Sequence, residues 1–141
     1  DSVASRGLGD VYKRQVEKLS KLRMGNALDS TSDIGAIISE EQLKKTLHYM
    51  DIAKKTSSAK VMYGGNQATG DDYKKGFFYE PTLMSGVPVD SPVCQDEIFG
   101  PVACAIPFKT FDEVMKSAND TAFGLSAVLW TQNLSRALET L

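Results

Sequence analysis

Ligands for soft metals are scarce in this 141-residue chain: one histidine, His48, and two cysteines, Cys94 and Cys104. No Cys/His cluster exists, which excludes a structural zinc site of the usual kind. Two cysteines provide no disulfide framework and suit an intracellular composition, so the cytoplasm is the expected compartment. No apolar run approaches the roughly 20 residues needed to span a bilayer. The net charge of −2 lacks the basic surplus that draws nucleic acid or an anionic membrane, and neither is expected as a partner. Residues 1–15 lack the positive start, apolar centre and small-residue end of a signal peptide. Repeats, low-complexity tracts and internal linkers are absent too. What remains is a chain of one ordinary domain's length, 42% hydrophobic and 24% charged, the balance of a globular protein.

The hydrophobic pattern alternates between strand and helix. Val16, Leu19 and Leu22 mark the end of a helix, and Gly25–Asp33 is a polar loop. Ser39-Glu40-Glu41-Gln42 reads as a capping box opening a helix to about Lys55, with Leu43, Leu47, Met50 and Ile52 or Ala53 as its apolar stripe. His48 falls at the edge of that stripe, as a boundary residue rather than a ligand. Strands are expected at Lys60–Tyr63, Phe77–Leu83, Val102–Phe108 and Ser126–Trp130, with Pro81 marking either a sheet edge or a strand end in the second. Thr110-Phe111-Asp112-Glu113 forms a second capping box, for a helix with Phe111, Val114, Met115 and Ala118 on its core face and its exit at Gly124. Leu134, Ala137, Leu138 and Leu141 recur at helical spacing. This alternation predicts an α/β layered domain with a largely parallel sheet.

The densest chemical signal is Glu97-Ile98-Phe99-Gly100-Pro101. If extended, the segment would turn Glu97 and Phe99 to one face. A carboxylate accepting from two neighbouring hydroxyls would then stand beside a flat ring, a surface that suits a ribose diol carrying an aromatic base. Gly100 would supply backbone angles barred to other residues, and Pro101 would stiffen the exit. In an arbitrary protein such a turn is more often simple architecture.

Three stretches taken together are more specific: Gly76-Phe77-Phe78-Tyr79-Glu80-Pro81-Thr82-Leu83, Gln95-Asp96-Glu97-Ile98-Phe99-Gly100-Pro101-Val102 and Ala118-Asn119-Asp120-Thr121-Ala122-Phe123-Gly124-Leu125. Their order and spacing resemble the aldehyde dehydrogenase superfamily. Met24-Gly25-Asn26-Ala27-Leu28-Asp29 and Ile34-Gly35-Ala36-Ile37-Ile38-Ser39 resemble that family's Gly-Asn-Pro and Gly-Pro-Leu-Ile segments, with alanine at positions 27 and 36 where the family has proline. The resemblance runs from about Val16 to Leu141 and implies the later part of a catalytic domain.

In that family a cysteine thiolate attacks an aldehyde, hydride passes to NAD or NADP, and water activated by a glutamate releases the acid. The resemblance puts the nucleophile upstream of Val16, together with the general base, the oxyanion asparagine and the dinucleotide-binding domain. This chain alone is therefore expected to be inactive. Cys94 is a poor substitute nucleophile, since Asp90, Asp96 and Glu97 would raise its pKa, and Cys104 reads as core packing. What the resemblance carries over is cofactor binding: Glu97 to the nicotinamide ribose, Phe99 to the nicotinamide region, and Gln42 with Lys45 to the adenosine ribose. Gln42 and Lys45 share a helical face, although a cap and a solvated surface charge would also explain them. Gly100, Pro101 and Asn119 read as fold-making. The implied partners are a small-molecule aldehyde and, for the parent protein, further copies of itself. A non-catalytic scaffold of the same fold, or an acylating semialdehyde or acyl-phosphate reductase, stays open.

Both ends look cut. Asp10-Val11-Tyr12-Lys13-Arg14-Gln15 resembles the translation of a transposon end used in preparing sequencing libraries, so residues 1–15 are expected to be a non-native leader, with a natural flexible N-terminus as the alternative. The last helix stops in mid-pattern, without Gly, Asn or Pro to end it.

Overall fold

Central to the sheet is β2 (Thr82–Ser85), flanked by β1 (Lys60–Tyr63) on one side and β3 (Val102–Ala105) on the other, in a computed structural model that describes residues 2–140. β1 runs antiparallel to β2, with Lys60 opposite Ser85 and an irregularity between Val61 and Tyr63; β2 runs parallel to β3, with Thr82 opposite Val102. The fold is α/β, as the alternation implies, with a mixed sheet of one parallel and one antiparallel pairing. The expectations for Asp1 in the leader and Leu141 in the last stripe lie outside the described residues.

Two compact units, residues 1–107 and 108–141, divide the chain. In the first, helix α1 (Ser2–Leu19) passes the Gln15–Val16 junction without a break. A loop follows, held by Asn26 and Asp29 side chains that accept from the amides of Leu28 and Thr31. Helix α2 (Glu40–Lys55) begins at Ser39, whose hydroxyl accepts from the Gln42 amide, a cap of the kind that contributes about 1 kcal/mol. Its buried face is Leu43, Thr46, Met50 and Ala53; Leu47, expected in the stripe, stays 38% exposed because the core lies one position around the helix. That face packs with Tyr79, Met84, Val87, Val93 and Ile98. His48 is exposed, edge-on to Tyr49.

The strand expected at Phe77–Leu83 starts later, at Thr82. Pro81 has no N–H for the ladder, so Phe77 and Tyr79 make only single bridges, to Ile37 and Gln67. Thr82 then opens β2 by donating its amide to the Pro101 carbonyl, 2.8 Å away. Of the two expectations for Pro81 the strand end holds: Pro81 falls just before β2, which is itself central. β3 ends at Ala105, short of the expected Phe108, and is half-buried.

In the second unit helix α4 (Phe111–Asn119) is capped by Thr110, and Glu113 reaches back to the Lys109 amide at 2.8 Å. It ends at Asn119, before Gly124; the Asn119 amide satisfies the Met115 carbonyl. Phe111, Val114 and Met115 are half-buried, while Ala118 is exposed. Ser126–Trp130 forms no strand: its β-favouring side chains have no neighbouring strand in this unit, and Trp130 is 91% exposed. Helix α5 (Leu134–Thr140) is capped by Asn133, and its Arg136 guanidinium lies 5.3 Å from the centre of the Phe111 ring.

Candidate functional site

The short helix α3 (Pro92–Gln95) delivers the chain to the Glu97 segment. Pro92 occupies its first turn, where no donor is needed, and Ser91 caps it by accepting from the Val93 amide. Residues 97–99 then form an irregular loop leading through Pro101 into β3.

Ile98 is the loop's anchor, buried in the core cluster, while Glu97 and Phe99 on either side are exposed, Phe99 by 70%. They do not share the face of an extended strand as expected, because Phe99 adopts a left-handed backbone with φ of 58°. The cause is visible in the hydrogen bonds. The Gln42 side-chain amide donates to two successive carbonyls, Ile98 at 2.5 Å and Phe99 at 3.2 Å. In an extended strand successive carbonyls point opposite ways; the helical twist at Phe99 turns both toward one donor group.

Helix α2 holds the loop at further points. Lys45 donates to the Glu97 carbonyl at 2.5 Å, and the Tyr49 hydroxyl donates to the Asp96 carboxylate at 2.9 Å. Gln42, Lys45 and Tyr49 lie at positions i, i+3 and i+7, one helical face, and meet loop residues 98–99, 97 and 96 in reverse order. Beneath them Thr46, fully buried, faces Gly100: a Cβ at Gly100 would sit 2.6 Å from the Thr46 hydroxyl oxygen. Gly100 is thus required for close approach, and the unusual backbone angle expected of it belongs to Phe99 instead. Gln42 also completes only half of the expected capping box, because its amide is turned to the loop. The bond to Asp96 raises the Tyr49 phenol above its ordinary pKa, with burial and the Asp96 charge adding to the effect.

Among the described residues no hydrogen bond or ion pair engages the Glu97 carboxylate. Phe99 stands between two open hollows. One, of about 310 Å³, is bordered by Cys94, Asp96 and Cys104; the other, of about 480 Å³, by the apolar Ile34–Ile38 segment. A free carboxylate can accept two hydroxyls, and an exposed ring can cover a flat heterocycle.

Neither cysteine is set up as a nucleophile. Burial, more than the neighbouring Asp90, raises the Cys94 thiol, and burial pushes Cys104 up to about 12. Tyr79 is likewise pushed up to about 12 by burial, then by Glu80; its hydroxyl has no partner among the described residues. No group of three or more potential metal ligands occurs among the described residues, and no helix there is long and apolar enough to cross a membrane. Of the expected site residues, Glu97, Phe99, Gln42 and Lys45 come together around one loop. Thr46 and Tyr49 were missed in the sequence, although Tyr49 continues the Gln42–Lys45 spacing by one more turn.

A sequence profile described as the aldehyde dehydrogenase family matches residues 3–141. The chain belongs to the aldehyde dehydrogenase family. It is 40% identical over 132 residues to a betaine aldehyde dehydrogenase of Mesorhizobium japonicum, covering 93% of this chain and 27% of that protein. A D-glyceraldehyde dehydrogenase (NADP(+)) of Picrophilus torridus is 37% identical, over 88% of this chain and 26% of its own length. Among solved structures, betaine aldehyde dehydrogenase of Staphylococcus aureus in complex with NAD+ superposes with a TM-score of 0.84 at 31% identity, over 91% of this chain and 25% of that one. The chain thus spans about a quarter of the length of the aldehyde dehydrogenases it matches.

Proposed function

We propose that residues 16–141 form part of the catalytic domain of an enzyme that oxidises an aldehyde to a carboxylic acid with NAD or NADP, its cysteine nucleophile lying outside this chain. In this reading Glu97 accepts hydrogen bonds from the two hydroxyls of the nicotinamide ribose, and Phe99 covers the adjoining ring. Supporting it are the Glu97 carboxylate, exposed and unclaimed by any described residue, and, two positions on, the Phe99 ring, itself open to solvent. The residues present fit such a group: a carboxylate has two acceptor oxygens for a vicinal diol, and bonds to a charged acceptor are the stronger kind. When bound, the dinucleotide would supply the hydride acceptor. The chain's own contribution is orientation, with Glu97 fixing the sugar and Phe99 limiting ring movement and water entry.

The test is Glu97→Gln in the complete dehydrogenase that contains this sequence. Hydride transfer should slow by about 10- to 100-fold, the scale of a misplaced reactant, with folding little changed. A rate within about twofold of the parent would refute the ribose assignment.

A further inference from the structure

Cys94 and Cys104 flank the Glu97 loop, and we propose that they form a reversible disulfide site. A low-molecular-weight disulfide of the glutathione type would close the pair, and the new bond would draw α3 to β3 and shift the loop between them. The bond itself is independent of the ribose assignment; its effect on the nucleotide rests on that assignment.

Cys94 is the third residue of α3, and Cys104 is the third of β3, opposite Met84 of the central strand. Both thiols are free and half-buried. They pack against the same core cluster and border the same hollow of about 310 Å³. Burial is the main influence on each, and the other thiol comes next. The Cys104 thiol donates a hydrogen bond to Cys94, which partly offsets the rise that burial causes there. Two sulfurs joined in this way are in contact across the ends of residues 95–103, the stretch that contains Glu97 and Phe99.

Cys94, the acceptor, is the attacking sulfur, and Cys104 is the resolving one. The Cys94 thiol gives its proton to water, and its sulfur bonds to one sulfur of the small disulfide. The other small sulfur leaves as a thiolate and takes up a proton. Cys104 then loses its proton, attacks the Cys94 sulfur and displaces the second small thiolate, which is protonated in turn. Two protein thiols are oxidised to one disulfide, and one small disulfide is reduced to two thiols. Neither cysteine has the thiolate fraction that rapid turnover needs. A single closure does not need it and takes on the order of hours.

A disulfide holds its sulfurs about 2 Å apart, closer than two thiols in contact, so closure moves α3 against β3 by on the order of 1 Å. Ile98 is anchored in the core and Gly100 abuts Thr46, so the shift falls on Asp96 and Glu97. A displacement of about 1 Å is enough to disturb a positioned group.

The experiment treats the complete dehydrogenase with oxidised glutathione, blocks the remaining thiols with iodoacetamide and maps the tryptic peptide 76–109, which contains both cysteines. The expected peptide is unlabelled and lighter by a pair of hydrogens. It stays joined when cut after Glu97 and comes apart on reduction. Labelled thiols at both positions, or glutathione left on either cysteine, would overturn the proposal. Amide exchange across residues 95–103 should slow at least about 10-fold on closure. Affinity for the nicotinamide nucleotide should fall at least about 5-fold, the lower end of usual coupling between sites, and dithiothreitol should restore it. The same treatment of Cys94→Ser, or of Cys104→Ala should that variant not fold, should leave affinity within about twofold, which separates this pair from other thiols of the complete enzyme. A mapped bond with unchanged exchange and affinity would overturn the effect on the loop. Slowed exchange with unchanged affinity would remove the ribose assignment instead and leave the disulfide site standing.

Discussion

Gly100 and Thr46 approach so closely that a methyl group on the glycine would lie 2.6 Å from the threonine hydroxyl oxygen and 3.1 Å from its Cγ2. The threonine has little room to yield. It is fully buried, and its hydroxyl donates to the Gln42 carbonyl at 3.1 Å. Gly100→Ala should therefore destabilise the complete protein by about 1–3 kcal/mol, the usual cost of over-packing. Thr46→Ala should recover part of that loss when combined with it. Urea denaturation of the two single variants and the double variant checks this; strictly additive losses would show that the two sites do not touch.

Phe99 separates stability from function. A buried phenylalanine cut back costs about 3–5 kcal/mol, but this ring is mostly exposed and its backbone is left-handed. Glycine accepts that backbone without penalty, so Phe99→Gly should leave stability within about 1 kcal/mol of the parent. Affinity for the nicotinamide nucleotide should fall in the same variant. Chemical denaturation and calorimetric titration measure the two quantities. A stability loss above about 3 kcal/mol would mean that the ring is part of a core.

The Tyr49–Asp96 bond has a defined pH signature. The folded phenol titrates above its ordinary value of 10.0, because the proton it donates to Asp96 is held more firmly in the native state. The bond's contribution is then complete below pH 10 and is lost as pH rises through the shifted value. A phenolate absorbance titration of the complete protein, taken as the difference from Tyr49→Phe, should give a midpoint above 10. A midpoint at or below 10 would show that the bond does not persist in solution.

Much of this was legible in the residues. Ser39 and Thr110 announced their helices because a hydroxyl at an N-cap satisfies local amides, and local chemistry survives into the fold. Glu97, Phe99, Gln42 and Lys45, singled out in the sequence, gather at one loop. What the pattern could not give was geometry set by distant partners. The sequence offers Gln42 as a ribose contact or as a local cap, whereas its amide serves carbonyls 56 and 57 residues away. Phe99 was read as extended, since nothing near it in sequence demands a left-handed turn. Ser126–Trp130 has the composition of a strand, yet a strand exists only against a neighbour, and its own unit offers none. Pro81 leaves a sheet edge and a strand end open in the sequence, and only the neighbours of β2 decide for the strand end.

The reversed pairing of helix and loop also constrains chain length. Each grip depends on residue count: seven positions along α2 are matched to the three to four steps that separate Asp96 from Phe99 and Gly100. Inserting or deleting a single residue there would put the acceptors on one side of the change out of register with their donors, whatever the side chains. Residues 69–75, beyond the Gln67–Tyr79 bridge, carry no comparable ruler and can lengthen or shorten at small cost. Engineering of this segment must therefore keep the residue count between Asp96 and Gly100 fixed.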